Sequence, residues 1–183
     1  VFTNNILLTN YLGMCSFLAI SREVKSSLGL GAAVVFVMTM TNALNWPIYY
    51  YILVPLDLAY LGFIVYIIVI AGSVQLVEMI VERVSEPLYN TLGIFLPLIT
   101  VNCAVFGAVL FMFIRKYTFL SSLAYGFGGG AGWALAIVAM SGIRQKIAKA
   151  KLPKGLEGPG ITLITAGIMA LAFMGFSGMI PAN

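Results

Sequence analysis

Two cysteines and one glutamate stand out chemically from their surroundings in this chain. Cys15 lies in "NYLGMCSF" and Cys103 in "LITVNCAVFG", and these two are the only cysteines among 183 residues. Glu78 lies in "GSVQLVEMIVERVSEP", within a largely apolar run. A deprotonated thiol ligates soft metals, and an ionisable group inside an apolar span is a functional candidate by default. The chain has no histidine, which excludes imidazole-ligated haem, imidazole proton relays and zinc sites of the usual kind. Two other readings of the cysteines stand beside the metal one. A free cysteine in an apolar segment is commonly a small hydrophobe, and a disulfide would be out of place far from oxidising machinery.

The elements that must position these residues are apolar helices. Hydrophobic residues make up 61% of the chain, charged residues 9%, and the mean hydropathy is +1.04. Soluble domains average roughly 25% charged residues, so this composition predicts an all-α integral membrane protein forming a single membrane domain over 1–183. A crossing needs about 20 apolar residues, and six spans fit: about 1–20, 28–46, 56–81, 88–114, 117–142 and 160–180. No signal-peptide architecture is seen, so the spans themselves are expected to carry the targeting information. Only "RQKIAKAKLPKGLEGPG" (144–160) has room for anything between spans. With no aqueous domain, any nucleotide or flavin must belong to another polypeptide.

The net charge of +4 is unevenly placed. Connections after spans 1, 3 and 5 hold Arg22, Lys25, Arg83, Arg144, Lys146, Lys149, Lys151 and Lys154; those after spans 2 and 4 hold only Arg115 and Lys116. That is the positive-inside pattern. The basic cluster is expected at the cytoplasmic face against lipid headgroups, with both termini on the opposite side and no nucleic acid as partner.

The chain also divides into two triplets of spans, about 1–84 and 85–183. Each opens with a segment holding that half's only cysteine. Each continues with a glycine-dotted span, "LGLGAAVVFVMT" or "YGFGGGAGWALAIVAM". Three crossings put the second triplet in the membrane the other way up, an inverted-topology repeat of the kind transporters use. Such a repeat predicts that Cys15 and Cys103 approach each other near the midplane. Pro97 in one half, and Asn10 with Gly13 in the other, are expected to interrupt the helices there. Irregular backbone within a bilayer survives only where protein or a cavity surrounds it. The N–H groups freed by a break favour an anion, and a thiolate-bound iron–sulfur cluster is one. Two thiolates are half of what a four-cysteine cluster needs, so a second polypeptide would have to bring the rest.

Four stretches, "YLGMCSFLAISREVK", "GIFLPLITVNCAVFG", "YGFGGGAGWALAIVAMSGIR" and "PGITLITAGIMALAFMGFSGM", resemble the small membrane subunits shared by the sodium-translocating NADH:quinone reductase (Nqr) and the Rnf complex, the NqrDE/RnfAE family. The resemblance covers nearly the whole chain. Within that family "LITVNC" and "GWALAIVAMSGIRQKI" are most similar to the NqrE branch, while the short connection "YYYILVPLDLAYL" is closer to the RnfA branch. The resemblance implies six spans in two inverted halves and a homologous sister subunit, of the NqrD or RnfE type, inserted the opposite way. It implies a [2Fe–2S] cluster within the bacterial inner membrane, held by Cys15, Cys103 and two cysteines of the sister. Flavins would sit only in partner subunits. Electrons from NADH would cross by the cluster and end on quinone in Nqr, or connect with ferredoxin in Rnf. The chain would relay electrons without catalysing bond chemistry of its own.

For Glu78 the residues leave two readings, an interfacial carboxylate near Arg83 or a cation-pathway group, and the resemblance implies an entry site for sodium. Asp57, Glu86 and Glu157 read as ordinary loop or helix-end charges. "GFGGGAG" (126–132) lacks the strand-and-helix context of a dinucleotide loop and reads as small residues for close helix approach. Trp46, Trp133 and "YYY" (49–51) read as interfacial belts or packing, and the nine methionines as packing. A stand-alone secondary transporter and a purely structural scaffold are the competing classes; the first would suit the repeats and broken helices equally well.

Overall fold

The structure, a computed structural model, describes residues 5–84, 96–150 and 158–177. Glu86, Lys151, Lys154 and Glu157 lie outside the described residues. Helices make up the fold, and no strand occurs among the described residues. In chain order they are α1 (Ile6–Asn10), α2 (Met14–Ile20), α3 (Val24–Ile48), α4 (Gly62–Val84), α5 (Leu96–Thr100), α6 (Cys103–Ile114), α7 (Phe119–Ile147) and α8 (Pro159–Ser177).

Five stretches are long and apolar enough to cross a membrane: Val24–Leu53, Gly62–Arg83, Pro97–Ile114, Phe119–Ile147 and Pro159–Phe176. The expected first span, 1–20, differs. Its described part is two short helices, α1 and α2, of five and seven residues. Elsewhere the boundaries shift for local reasons. The second span runs past its expected end at 46, through Pro47 and into a π-helical turn at Tyr49–Leu53, a common way to absorb a backbone hydrogen bond that proline cannot make. The third starts at Gly62 rather than 56, because Asp57 turns the chain with a left-handed φ of 55°.

At the centre, α3 and α7 lie antiparallel along most of their length. Gly31 faces Ala134, where a Cβ on the glycine would stand 3.0 Å from the alanine Cβ. A Cβ on Gly130 would come within 2.8 Å of the Val35 Cα, and one on Gly126 within 3.0 Å of the Met38 carbonyl oxygen. Further along, Asn42 Nδ2 donates to the Ser122 carbonyl at 3.4 Å and Trp46 Nε1 to the Tyr117 carbonyl at 3.0 Å. Position rises on one helix as it falls on the other, so the register is fixed by small residues. In lipid, helices gain little from hiding apolar surface from one another; close backbone approach and van der Waals packing hold them instead. The glycine run 126–132 therefore serves helix approach, with α3 as the neighbour. Around this pair, α6 and α4 pack against α3, α1 and α8 against α7, α5 and α6 against α4, and α1 against α8. Large apolar side chains such as Phe36, Ile64, Ile68, Leu163 and Leu171 face outward, as a lipid-facing surface requires.

Replacing Gly130 by leucine should force α3 and α7 apart and lower stability by about 1–3 kcal/mol, the usual range for overpacking. Gly128, where an added Cβ would meet nothing within 4 Å, supplies the control. Thermal unfolding in detergent should show a lower midpoint for Gly130→Leu and an unchanged one for Gly128→Ala.

Candidate functional site

Both cysteines sit where a helix has just restarted. α1 is capped by Asn5, whose side chain accepts the Leu7 N–H at 3.1 Å and donates through Nδ2 to the Gly132 carbonyl at 2.8 Å. The helix stops at Tyr11, which takes a left-handed φ of 54°, uncommon for a bulky residue. Gly13 follows at φ 90°, a conformation open in practice only to glycine. α2 then begins, and Cys15 is its second residue. In the other half, α5 ends at Thr100 and Asn102 caps α6, accepting the Ala104 N–H at 3.0 Å; Cys103 is the first residue of that helix.

Pro97 stands four residues ahead of the second break, and the turn it is expected to disturb lies largely outside the described residues. The interruption falls at Val101–Asn102 and is made by the asparagine cap.

The two breaks are seated on one another. The Gly13 N–H donates to Cys103 Sγ at 2.8 Å, across 90 residues of sequence. A Cβ on Gly13 would stand 2.5 Å from Trp133 Nε1, 3.0 Å from the Ala104 Cβ and 3.1 Å from Asn102 Oδ1. The Leu12 side chain rests over Gly107, where a Cβ would come within 2.5 Å of Leu12 Cδ1. Segment 11–13 thus lies across the first turn and a half of α6, and only glycine fits at 13, while a side chain at 107 would displace Leu12. Cys103 is half-buried in this junction, and Cys15 is exposed on the outside of the chain.

Two buried donors in the junction have no partner among the described residues: Asn102 Nδ2 and Trp133 Nε1. Trp133 is fully buried, so it is a core residue of the junction and not part of an interfacial belt. A buried unpaired donor costs about 1–3 kcal/mol, which makes such atoms worth explaining. Neither residue stood out in the sequence. The asparagine carried a readable signal, an N-cap residue directly ahead of an apolar helix; the tryptophan carried none, because its significance depends on Gly13 lying against its nitrogen.

Glu78 is half-buried on α4, one turn beyond the buried Val74, and has no hydrogen-bond or ion-pair partner among the described residues. It is not among the residues around Cys103. Three members of the basic cluster, Arg22, Arg144 and Lys149, come together. Arg144 Nη1 donates to the Leu18 carbonyl at 3.0 Å and to Ser21 Oγ at 2.7 Å. Together with Arg22, Gln145 and Lys149 it lines a cavity of about 610 Å³ where α2, α7 and the start of α8 meet.

Long apolar helices with outward-facing hydrophobic side chains define a multi-pass membrane protein. Within that class, a family model described as "Rnf-Nqr subunit, membrane protein" matches residues 1–180, and the chain belongs to that family. Subunits of the family work in multi-subunit, redox-driven ion-translocating complexes.

Since Asn102 both ends one helix and starts the next, Asn102→Ala should cost about 1 kcal/mol through the lost cap. Asn102→Ser, which retains a capping oxygen, should recover most of that loss. Thermal unfolding of the three proteins side by side checks the ranking.

Proposed function

We propose that this chain is an electron-relay subunit of a sodium-translocating NADH:quinone reductase, supplying Cys15 and Cys103 as half of the ligands to a [2Fe–2S] cluster shared with a homologous sister subunit. The observation that carries the proposal is the junction itself, with Cys103 Sγ held by the Gly13 N–H two residues ahead of Cys15. The donor set fits the group. Both ligands are soft sulfurs at the N-terminal ends of helix pieces, the donor type that iron–sulfur groups take. No group of three or more metal-binding side chains exists among the described residues, so the remaining ligands come from outside. Cys15 is exposed, as a ligand to a group shared between two chains must be.

The packing pattern supports an inverted repeat with halves 1–84 and 85–183. The α1–α2 segment of the first half packs on α7 and α8 of the second through α1; α5 and α6 of the second pack on α3 and α4 of the first. The two glycine-dotted helices, equivalent in such a repeat, meet antiparallel. On this reading the chain makes six passages with both termini on the outer side of the bacterial inner membrane, and the basic cavity around Arg144 faces the cytoplasm.

When bound, the cluster supplies a one-electron carrier part-way across an insulating layer. The chain's own residues do the rest. Gly13 and Asn102 hold the two restarted helices in place. Trp133 and Leu12 exclude water from the junction on the protein side. Glu78, on a helix that packs against the Cys103 segment, offers a carboxylate to an entering cation, and the flavins belong to partner subunits. The Rnf role, that of RnfA in a ferredoxin-linked complex, uses the same site with different neighbours, so the proteins that co-purify distinguish it from Nqr. A stand-alone transporter would carry no iron.

Cys15→Ser and Cys103→Ser, each in an assembled complex, should abolish cluster iron and acid-labile sulfide and reduce quinone reduction to background. Wild-type turnover in either variant removes the relay role. Glu78→Gln should raise several-fold the sodium concentration needed for half-maximal turnover while iron content stays constant; an unchanged sodium dependence overturns the entry-site assignment.

A further inference from the structure

Arg22, Arg144, Gln145, Ala148, Lys149 and Gly158 surround a cavity of about 610 Å³, a volume in the range of small-ligand sites. Three of these described lining residues are cations and none is an acid. They come from parts of the chain far apart in sequence. Arg22 stands on the turn between α2 and α3, Arg144 and Gln145 in the last turn of α7, Lys149 just beyond it, and Gly158 immediately ahead of α8. Glu23, beside Arg22 in sequence, accepts the Ser26 hydroxyl at 3.3 Å and is not among the described lining residues.

Cations gathered without an anion repel one another, and Arg144 is not free to leave. Its Nη1 is tied to the Leu18 carbonyl at 3.0 Å and to Ser21 Oγ at 2.7 Å. The first of these is a carbonyl in the last turn of α2, which the helix itself leaves without a partner. A guanidinium carries five N–H groups in a rigid fork. The two on Nη1 are committed, and those on Nη2 and Nε have no partner among the described residues. Arg22 and Lys149 are exposed and make no hydrogen bond or ion pair among the described residues. The N-terminus of α8, which favours negative charge, opens beside Gly158.

The level of the cavity decides where its anion comes from. The membrane-length stretches Val24–Leu53, Phe119–Ile147 and Pro159–Phe176 each begin or end within two residues of a lining residue. The cavity therefore lies where hydrocarbon gives way to headgroups. From it α8 leads away with Leu163, Ile164, Ile168 and Leu171 facing outward, an apolar wall for acyl chains.

We propose that this cavity binds the phosphate group of an anionic phospholipid, with Arg144 as the fixed donor and Arg22 and Lys149 closing on it. Basic pockets between membrane helices take such headgroups. The phospholipid bridges α2, the helix that carries Cys15, to α7 and α8. Lys25 and Lys146 belong to the same basic cluster and do not line the cavity, so a defined site is distinguishable from a general attraction of this charged face to lipid. The chemistry of the cavity is independent of any redox role.

The test labels the intact complex in detergent with a phosphatidylglycerol carrying a photoreactive group near the head of one acyl chain. Labelled peptides should cluster at the end of α2, the end of α7 and the start of α8. Replacing both mobile cations, in Arg22→Gln with Lys149→Gln, should raise the lipid concentration for half-maximal labelling there about thirtyfold, about fivefold for each cation. Both side chains are exposed, so the fold should survive the exchange. The equal charge change in Lys25→Gln with Lys146→Gln should leave that concentration unchanged. Excess unlabelled phosphatidylglycerol should displace the label, and inorganic phosphate should not. Displacement by inorganic phosphate assigns the site to a free phosphate and overturns the lipid. Equal weakening in the two double variants, or label spread evenly along the outward helix faces, overturns it as well. So does a cavity that takes no label; a zero-length crosslink from Lys149 to another subunit's carboxylate would then identify an acidic protein in its place.

Discussion

A helix that stops among apolar neighbours leaves backbone groups that must find partners within the protein, and this chain does so twice. The two interruptions answer each other. Gly13 lends its N–H to the residue that restarts the second helix, Asn102 turns its oxygen onto the new helix it begins, and Leu12 lies over Gly107 where no side chain intervenes. Remove either interruption and the other would face apolar surroundings with unmet hydrogen bonds. The cysteines inherit their positions from this arrangement. They stand at the first and second residues of helices that exist in that register only because the breaks are locked together.

The same reasoning explains why α3 and α7 are the frame. Each lies beside a segment of broken helix, and broken helices need rigid neighbours. Glycine and alanine at 31, 126, 130 and 134 bring the two backbones into van der Waals range, leaving little freedom to rotate or slide. The frame is polar as well as tight at one end, where Asn42, Asn45 and Trp46 turn side-chain nitrogens to carbonyls on either helix or the loop between α6 and α7.

Much of this was readable from sequence, and the limits have physical causes. Hydropathy located the long helices because length and composition alone make a span. The cysteines, the glycine run and the breaks were legible because each departs from its apolar surroundings. Trp133 was unreadable because an indole in an apolar helix suits a belt, a core or a site equally; burial and an unpaired nitrogen separate these only in three dimensions. Pairing between α1 and α7 was likewise beyond reach, since nothing in "TNNILL" specifies that Asn5 will find the carbonyl of Gly132.

That last contact bears on how the molecule is made. The N-terminal segment obtains its anchors from far downstream: Asn5 from position 132, Gly13 from Cys103, and Leu18 and Ser21 from Arg144, separations of 127, 90, 126 and 123 residues. A ribosome delivers residues in order, at roughly 5–20 per second, so α1 and α2 emerge many seconds before the residues that receive them. Until α7 has been synthesised and inserted, this segment lacks its partners. Its docking is a late event in biogenesis, and the bundle closes on a segment made long before the helices that hold it.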